Sequence, residues 1–123
     1  MKDDKVVLVV DDEENIVSVI KDRLEANKFK VITACNGEEA LQKASERPNI
    51  IILDILMPVM GGVDALRKLK DNEITKDIPV IILTAKGDST VQKQVLDLGA
   101  VSIIEKPFHP AELAGKVLRL LNG

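Results

Sequence analysis

Five short apolar runs punctuate the chain, and between them polar residues take over with a different rhythm. The runs are Val6–Val10 (VVLVV), Val31–Ala34 (VITA), Ile50–Leu53 (IIIL), Pro79–Leu83 (PVIIL) and Val101–Ile104 (VSII). The first, third and fourth are continuous instead of alternating, which is how a strand covered on both faces reads. The second and fifth are shorter and more polar, as expected nearer the edge of a sheet. The intervening segments carry a helical period. Ile16, Ile20 and Leu24 share one face, as do Val91, Val95 and Leu98, and then Leu113, Val117 and Leu121. Asn36 followed three residues later by Glu39 is a capping-box pattern that opens a second helix. Gly61-Gly62 precede a third, Asp88-Ser89-Thr90 opens a fourth, and Pro110 suits the first turn of the last.

Strand and helix thus alternate five times. Alternation at this spacing predicts a parallel sheet with right-handed crossovers and helices on both faces. No linker, low-complexity tract or repeat interrupts it, and 123 residues suit one domain. The expected architecture is a flavodoxin-like (βα)5 three-layer sandwich over residues 1–123, with strand order 2-1-3-4-5.

An open sheet of this kind binds ligands beyond the carboxyl ends of its strands. Asp11 and Asp12 follow the first run, Asp54 the third, Thr84 the fourth and Lys106 the fifth, while nothing comparable follows the second. Three carboxylates, a hydroxyl and an ammonium therefore converge on one edge. Clustered carboxylates repel unless a cation neutralises them, and hard oxygen ligands favour Mg²⁺, with Mn²⁺ also fitting. Cation, ammonium and hydroxyl together suit phosphoryl transfer, and an Asp in such a site can act as nucleophile, giving an aspartyl phosphate. Each residue also has an ordinary reading: Asp11-Asp12 as a strand end and helix cap, Thr84 as strand chemistry, Lys106 as a surface lysine. Asp54 resists one, because an unpaired carboxylate directly after Ile-Ile-Ile-Leu is costly.

Composition narrows the classes. The formal net charge is −3, so a nucleic-acid backbone is not expected as a direct partner. Aromatic residues make up 2%, with no Trp or Tyr, against base-stacking modules and ring-flanking flavin sites. One cysteine forms no internal disulfide, the start Met-Lys-Asp-Asp-Lys lacks a signal-peptide pattern, and no apolar run is long enough for a membrane span. The chain reads as cytoplasmic. Cys35 is expected to be a small, partly buried filler, Phe108 to pack the last loop on the core, and His109, with no second ligand nearby, to be exposed and structural.

Four blocks in order carry a resemblance: Val9-Val10-Asp11-Asp12-Glu13, Leu53-Asp54-Ile55-Leu56-Met57-Pro58, Leu83-Thr84-Ala85 and Lys106-Pro107-Phe108. Over essentially its whole length the chain resembles the receiver domain of two-component response regulators, especially single-domain chemotaxis-type members. The resemblance implies Asp54 as phosphoacceptor, Asp12 as a direct Mg²⁺ ligand, Asp11 as a ligand mainly through water, and the Leu56 backbone carbonyl completing the metal's protein ligands alongside Asp54. Thr84 corresponds to the hydroxyl that moves to hold the phosphoryl group, Lys106 to the cation that contacts it, and Lys106–Pro107 to a cis bond. A sensor histidine kinase or histidine phosphotransfer protein would be the donor, with a downstream protein reading the switched surface as monomer or phosphorylation-dependent dimer. Such a protein is not an enzyme in the usual sense, though it catalyses its own phosphorylation and slow autodephosphorylation.

Three positions depart from the commonest family pattern. Ile103 stands where many receivers carry a switching aromatic, so output is expected to use repacking around Ile103 or the 84–90 loop. Leu56 and Lys86 occupy the positions that tune water access to the acyl phosphate, and an apolar Leu56 predicts a fairly long-lived phosphoform. Gly61 replaces a common Asp. Among rival classes, an aspartate-nucleophile phosphatase would carry Asp-x-Asp after its first strand, where this chain has Glu13 and Glu14 two residues beyond Asp11 and Asp12. A flavin carrier is opposed by Asp-Asp-Glu-Glu, which repels phosphate. The remaining alternative is a phosphorylation-independent pseudo-receiver, or adaptor, for which only Ile103 speaks. The chain stops two residues after Leu121, so no effector domain is visible; a stand-alone regulator and a receiver cut from a longer protein both fit.

Overall fold

The computed structural model describes residues 5–57 and 59–122; Pro58, one of the motif residues above, and the Met1–Asp4 stretch lie outside them. In chain order the elements are β1 (Val6–Val10), α1 (Glu14–Ala26), β2 (Lys30–Ala34), α2 (Gly37–Ala44), β3 (Ile50–Asp54), α3 (Gly62–Lys70), β4 (Val80–Ala85), α4 (Ser89–Asp97), β5 (Ser102–Lys106) and α5 (Pro110–Asn122). The strands form one parallel sheet in the order β2-β1-β3-β4-β5, so the two more polar runs are its edges.

Residues of opposite parity along each strand feed two cores, as the pleat dictates. Leu8, Val10, Ile51, Leu53, Val80 and Ile82 pack with Ala40, Ala44, Leu66, Leu69 and Val95 of α2, α3 and α4. Val7, Val9, Ile50, Ile52, Ile81 and Leu83 pack with Ile20, Leu24, Leu113 and Val117 of α1 and α5. Phe108 joins the second group. A strand with core on both faces has no polar position to offer, which is why β1, β3 and β4 read as unbroken apolar runs.

The strands extend past those runs. β3 includes Asp54, β4 reaches Ala85, and β5 is displaced to Ser102–Lys106. Ladder hydrogen bonds join backbone groups, so polar side chains at a strand end do not stop the pairing. Helix starts follow local chemistry. Asn36 Oδ1 accepts from Glu39 N at 2.8 Å, but Glu39 Oε1 reaches back to Cys35 N (2.7 Å), one residue earlier than a capping box would have it. Asp88 accepts from Val91 N, and exposed His109 accepts from Ala111 N through Nδ1 at 3.2 Å, at the start of α5. The ordinary reading of Asp11-Asp12 as a helix cap is not what the structure shows: Glu13 is the N-cap of α1, without a side-chain cap. Cys35 is exposed, not a partly buried filler. Ala34 takes the last buried place on edge strand β2, and the next residue turns outward. No helix among the described residues is long and apolar enough to cross a membrane.

Candidate functional site

Parallel strands end on the same edge, so register delivers the polar residues together. Asp54 closes β3 opposite Leu83, and Thr84 and Ala85 of β4 pair with Glu105 and Lys106 of β5. Asp11, just past β1, is held by its N–H to Ala34 O (3.2 Å) and accepts from Glu13 N through Oδ1 (3.0 Å). Asp11, Asp54 and Thr84 are buried, and Asp12 is exposed. One carboxylate oxygen from each of Asp11, Asp12 and Asp54 lies within 4.8 Å of the others.

Lys106 answers this charge. Its Nζ is 3.1 Å from Asp11 Oδ2, 3.1 Å from Asp54 Oδ1 and 3.7 Å from Glu13 Oε1. Read alone as a surface lysine, it is instead mostly covered and serves two buried carboxylates. Burial, with the neighbouring Asp11 carboxylate, pushes the Asp54 carboxyl up to about 6, although Lys106 and the Ile55 N–H pull it back. For Lys106, burial works against the ammonium, but pairing with Asp54 and Asp11 outweighs it and its pKa is raised. Three carboxylates and one ammonium leave excess negative charge among oxygen-only donors. That donor set fits a hard divalent cation such as Mg²⁺ or Mn²⁺.

The β3–α3 loop is pressed against the end of β3. A Cβ on Gly62 would stand 2.2 Å from Asp54 O, and Gly62 N donates to Ile55 O (2.8 Å). Only a residue without a side chain lets α3 begin that close to the acid. Gly37 N holds Met60 O at 2.9 Å from the other side. Val59, between these ties, has φ +68°, a left-handed conformation that a β-branched residue adopts only under strain. Asp54, Thr84, Lys106 and Leu56 line one cleft of about 700 Å³, rimmed by Ile16 and Phe108. The Leu56 side chain is 76% exposed. The Lys106–Pro107 bond is cis.

Across the cleft, Ala85, Lys86 and Gly87 are exposed. Ile103 is half-buried against the α4-side core, with its carbonyl bonded by Lys116 Nζ (3.2 Å). Sequence reasoning missed Glu13 as a third carboxylate near Lys106, and Glu105, whose Oε2 accepts from Gly87 N (3.1 Å) and Gln92 Nε2 (2.7 Å). The signal for Glu105 was its place beside Lys106 opposite Thr84, which shows only once the register is known.

Comparison with known proteins gives a consistent answer. The model of the response regulator receiver domain matches residues 7–118. The alkaline phosphatase synthesis transcriptional regulatory protein PhoP of Bacillus subtilis is 40% identical over 119 residues, covering 96% of this chain and 49% of that protein. The chain spans about half the length of the curated relatives it matches. Among solved structures, chemotaxis response regulator CheY4 of Vibrio cholerae superposes with a TM-score of 0.90 at 32% identity, covering 97% of this chain and 100% of the other. The receiver domain of sensor histidine kinase PA1611 from Pseudomonas aeruginosa, with a magnesium ion coordinated in its active-site cleft, gives 0.88 at 27% identity, covering 98% and 100%.

Proposed function

This chain belongs to the receiver-domain family of two-component response regulators, and from that premise we propose that Asp54 is its phosphoacceptor. A carboxylate oxygen of Asp54 attacks the phosphorus of a phosphohistidine in line. The P–N bond breaks, its electron pair stays on the ring nitrogen, and that nitrogen takes up a proton. Lys106 stands ready to neutralise charge on the incoming phosphoryl oxygens, and Thr84 offers the hydroxyl that holds the product. The observation that carries this reading is one buried carboxylate at a strand end, 3.1 Å from an ammonium and within 4.8 Å of two further carboxylate donors.

Asp11, Asp12 and Asp54, with the Leu56 carbonyl, would hold the divalent cation, which when bound neutralises developing charge and orients the phosphoryl group. Asp54 must be ionised to attack, and Lys106 and the Ile55 N–H favour that form. The whole of residues 1–123 is read as one such domain, acting in the cytoplasm. It promotes its own phosphorylation and slow autodephosphorylation, takes phosphate from a histidine kinase or phosphotransfer protein, and controls a partner or output domain.

Intact mass tests it, with Mg²⁺ and acetyl phosphate or a phosphohistidine donor, on wild type and Asp54→Asn. One adduct of about 80 Da, dependent on Mg²⁺ and lost in the variant, is the expected result. No adduct from any donor overturns it in favour of a phosphorylation-independent adaptor.

A further inference from the structure

Glu105 and Thr84 are register partners. Alternation along β4 and β5 puts both on the face that carries α4, where Val80, Ile82 and Ile103 pack. One oxygen of Glu105, Oε2, accepts both the Gly87 N–H (3.1 Å) and the Gln92 side-chain amide (2.7 Å). Gly87 is the bend of the β4–α4 loop, with φ +83°, and Gln92 ends the first turn of α4. A single carboxylate oxygen on β5 thus grips both the loop and the helix that follows it. The other hydrogen bonds of this loop among the described residues are local: Asp88 N to Ala85 O at 3.4 Å, Ser89 N to Gly87 O at 2.9 Å, Gln92 N to Asp88 O at 3.0 Å, and the Asp88 cap on Val91 N.

We propose that Glu105 is a positioning residue, a latch that holds the β4–α4 loop in its resting arrangement and transmits movement of Thr84 to α4 through Gln92. The inference rests on the reading of Asp54 as phosphoacceptor and adds a part to it. Drawing Thr84 toward a phosphoryl group on Asp54 carries residues 85–87 along, and Gly87 N then leaves the Glu105 carboxylate. With half of the grip lost, Gln92 and the first turn of α4 are released together. The link to the helix is polar, in a chain whose residue 103 is an isoleucine with no ring to turn and no hydroxyl to bond. Because the latch is made in one arrangement only, it biases the equilibrium against the phosphorylated one.

The test compares wild type, Glu105→Ala and Gln92→Ala as ¹⁵N-labelled full chains, without ligand, with Mg²⁺ alone, and with Mg²⁺ plus beryllofluoride as phosphoryl mimic. Glu105→Ala is expected to bind beryllofluoride about fivefold more tightly, the scale of one ordinary solvent-exposed hydrogen bond, with Mg²⁺ affinity unchanged. Without ligand, its Gly87 and Asp88 amides should exchange with solvent faster. Gln92→Ala should keep the Gly87 protection and gain less affinity. Unchanged beryllofluoride affinity in Glu105→Ala overturns the latch, as does a parallel change in Mg²⁺ affinity, which would signal a disturbed site. If wild type binds no beryllofluoride, the reading of Asp54 fails instead, and the latch is then decided by amide exchange alone: equal Gly87 protection in wild type and Glu105→Ala overturns it.

Discussion

The two banks of the cleft are held by different means. On one bank, Asp11, Asp54 and Lys106 sit on or directly beside strand ends, mostly out of water and joined by two ion pairs of 3.1 Å. On the other, residues 85–87 lie in the open, anchored at a distance by one surface carboxylate. The first arrangement suits chemistry, since a reacting carboxylate must be aimed before its substrate arrives. The second suits switching, because a segment with few ties crosses between two states for a small free-energy difference.

Removing the cation from the first bank is the severest way to break the contrast. Lys106→Ala leaves Asp11 and Asp54 facing each other with no ammonium between them. Urea unfolding at pH 8 without metal should show a loss of about 3 kcal/mol, partly restored by Mg²⁺. The loss should shrink as pH falls from 8 toward about 6, because without Lys106 the Asp54 carboxyl takes up its proton at a higher pH than it does in wild type. A constant loss across that range would mean that the lysine contributes through its aliphatic stem instead.

Asp54→Asn works in the opposite direction. The folded carboxyl is pushed up to about 6 against an ordinary 3.8, so the folded state binds more protons than the unfolded chain between those values. Stability contributed at this residue therefore falls as pH rises from about 4 to about 6.5, by about 2–3 kcal/mol. The variant should lack that slope and be more stable than wild type at neutral pH without metal. Urea melts of both proteins at pH 4.5 and 7.5 give the difference directly.

Changes on the second bank should be smaller and local. Asp88→Ala removes the side-chain acceptor for Val91 N, a long bond of 3.4 Å. It should cost about 0.5–1 kcal/mol, seen first as faster amide exchange in the opening turn of α4. Leu56→Asn, at a side chain that is 76% exposed, should move stability by less than about 0.5 kcal/mol. Its expected effect is kinetic, a severalfold shorter lifetime of the phosphorylated protein followed by intact mass. An unchanged lifetime would remove Leu56 from control of water access.

Much of the fold was legible because a strand buried on both faces leaves an unbroken apolar run, and three of the five did so. β5 was displaced by one residue at its start and two at its end. Glu105 and Lys106 interrupt the apolar signal while their backbones stay in the ladder. Asp11, Asp54 and Thr84 were legible because each directly follows such a run, and Asp12 and Lys106 because they lie one residue further on, Lys106 after the more polar fifth run. Glu105 was not, since a glutamate on a surface strand looks the same with or without a partner 18 residues away. The error at Cys35 has the same origin: burial at a strand end depends on which parity the edge strand turns inward.

The exposed cysteine has a practical use. With no tryptophan and no tyrosine, the molecule is nearly silent in near-ultraviolet absorbance and fluorescence. Its one thiol lies just past β2, on the same shallow depression as Asp11 and Asp12, and hydrogen bonding to Glu39 pushes it up. A maleimide dye coupled there at mildly alkaline pH would sit on the rim of the acidic pocket at a single defined position. The arrival of a cation, or of a phosphoryl group behind it, could then be followed as a change in emission from a protein that otherwise has none to give.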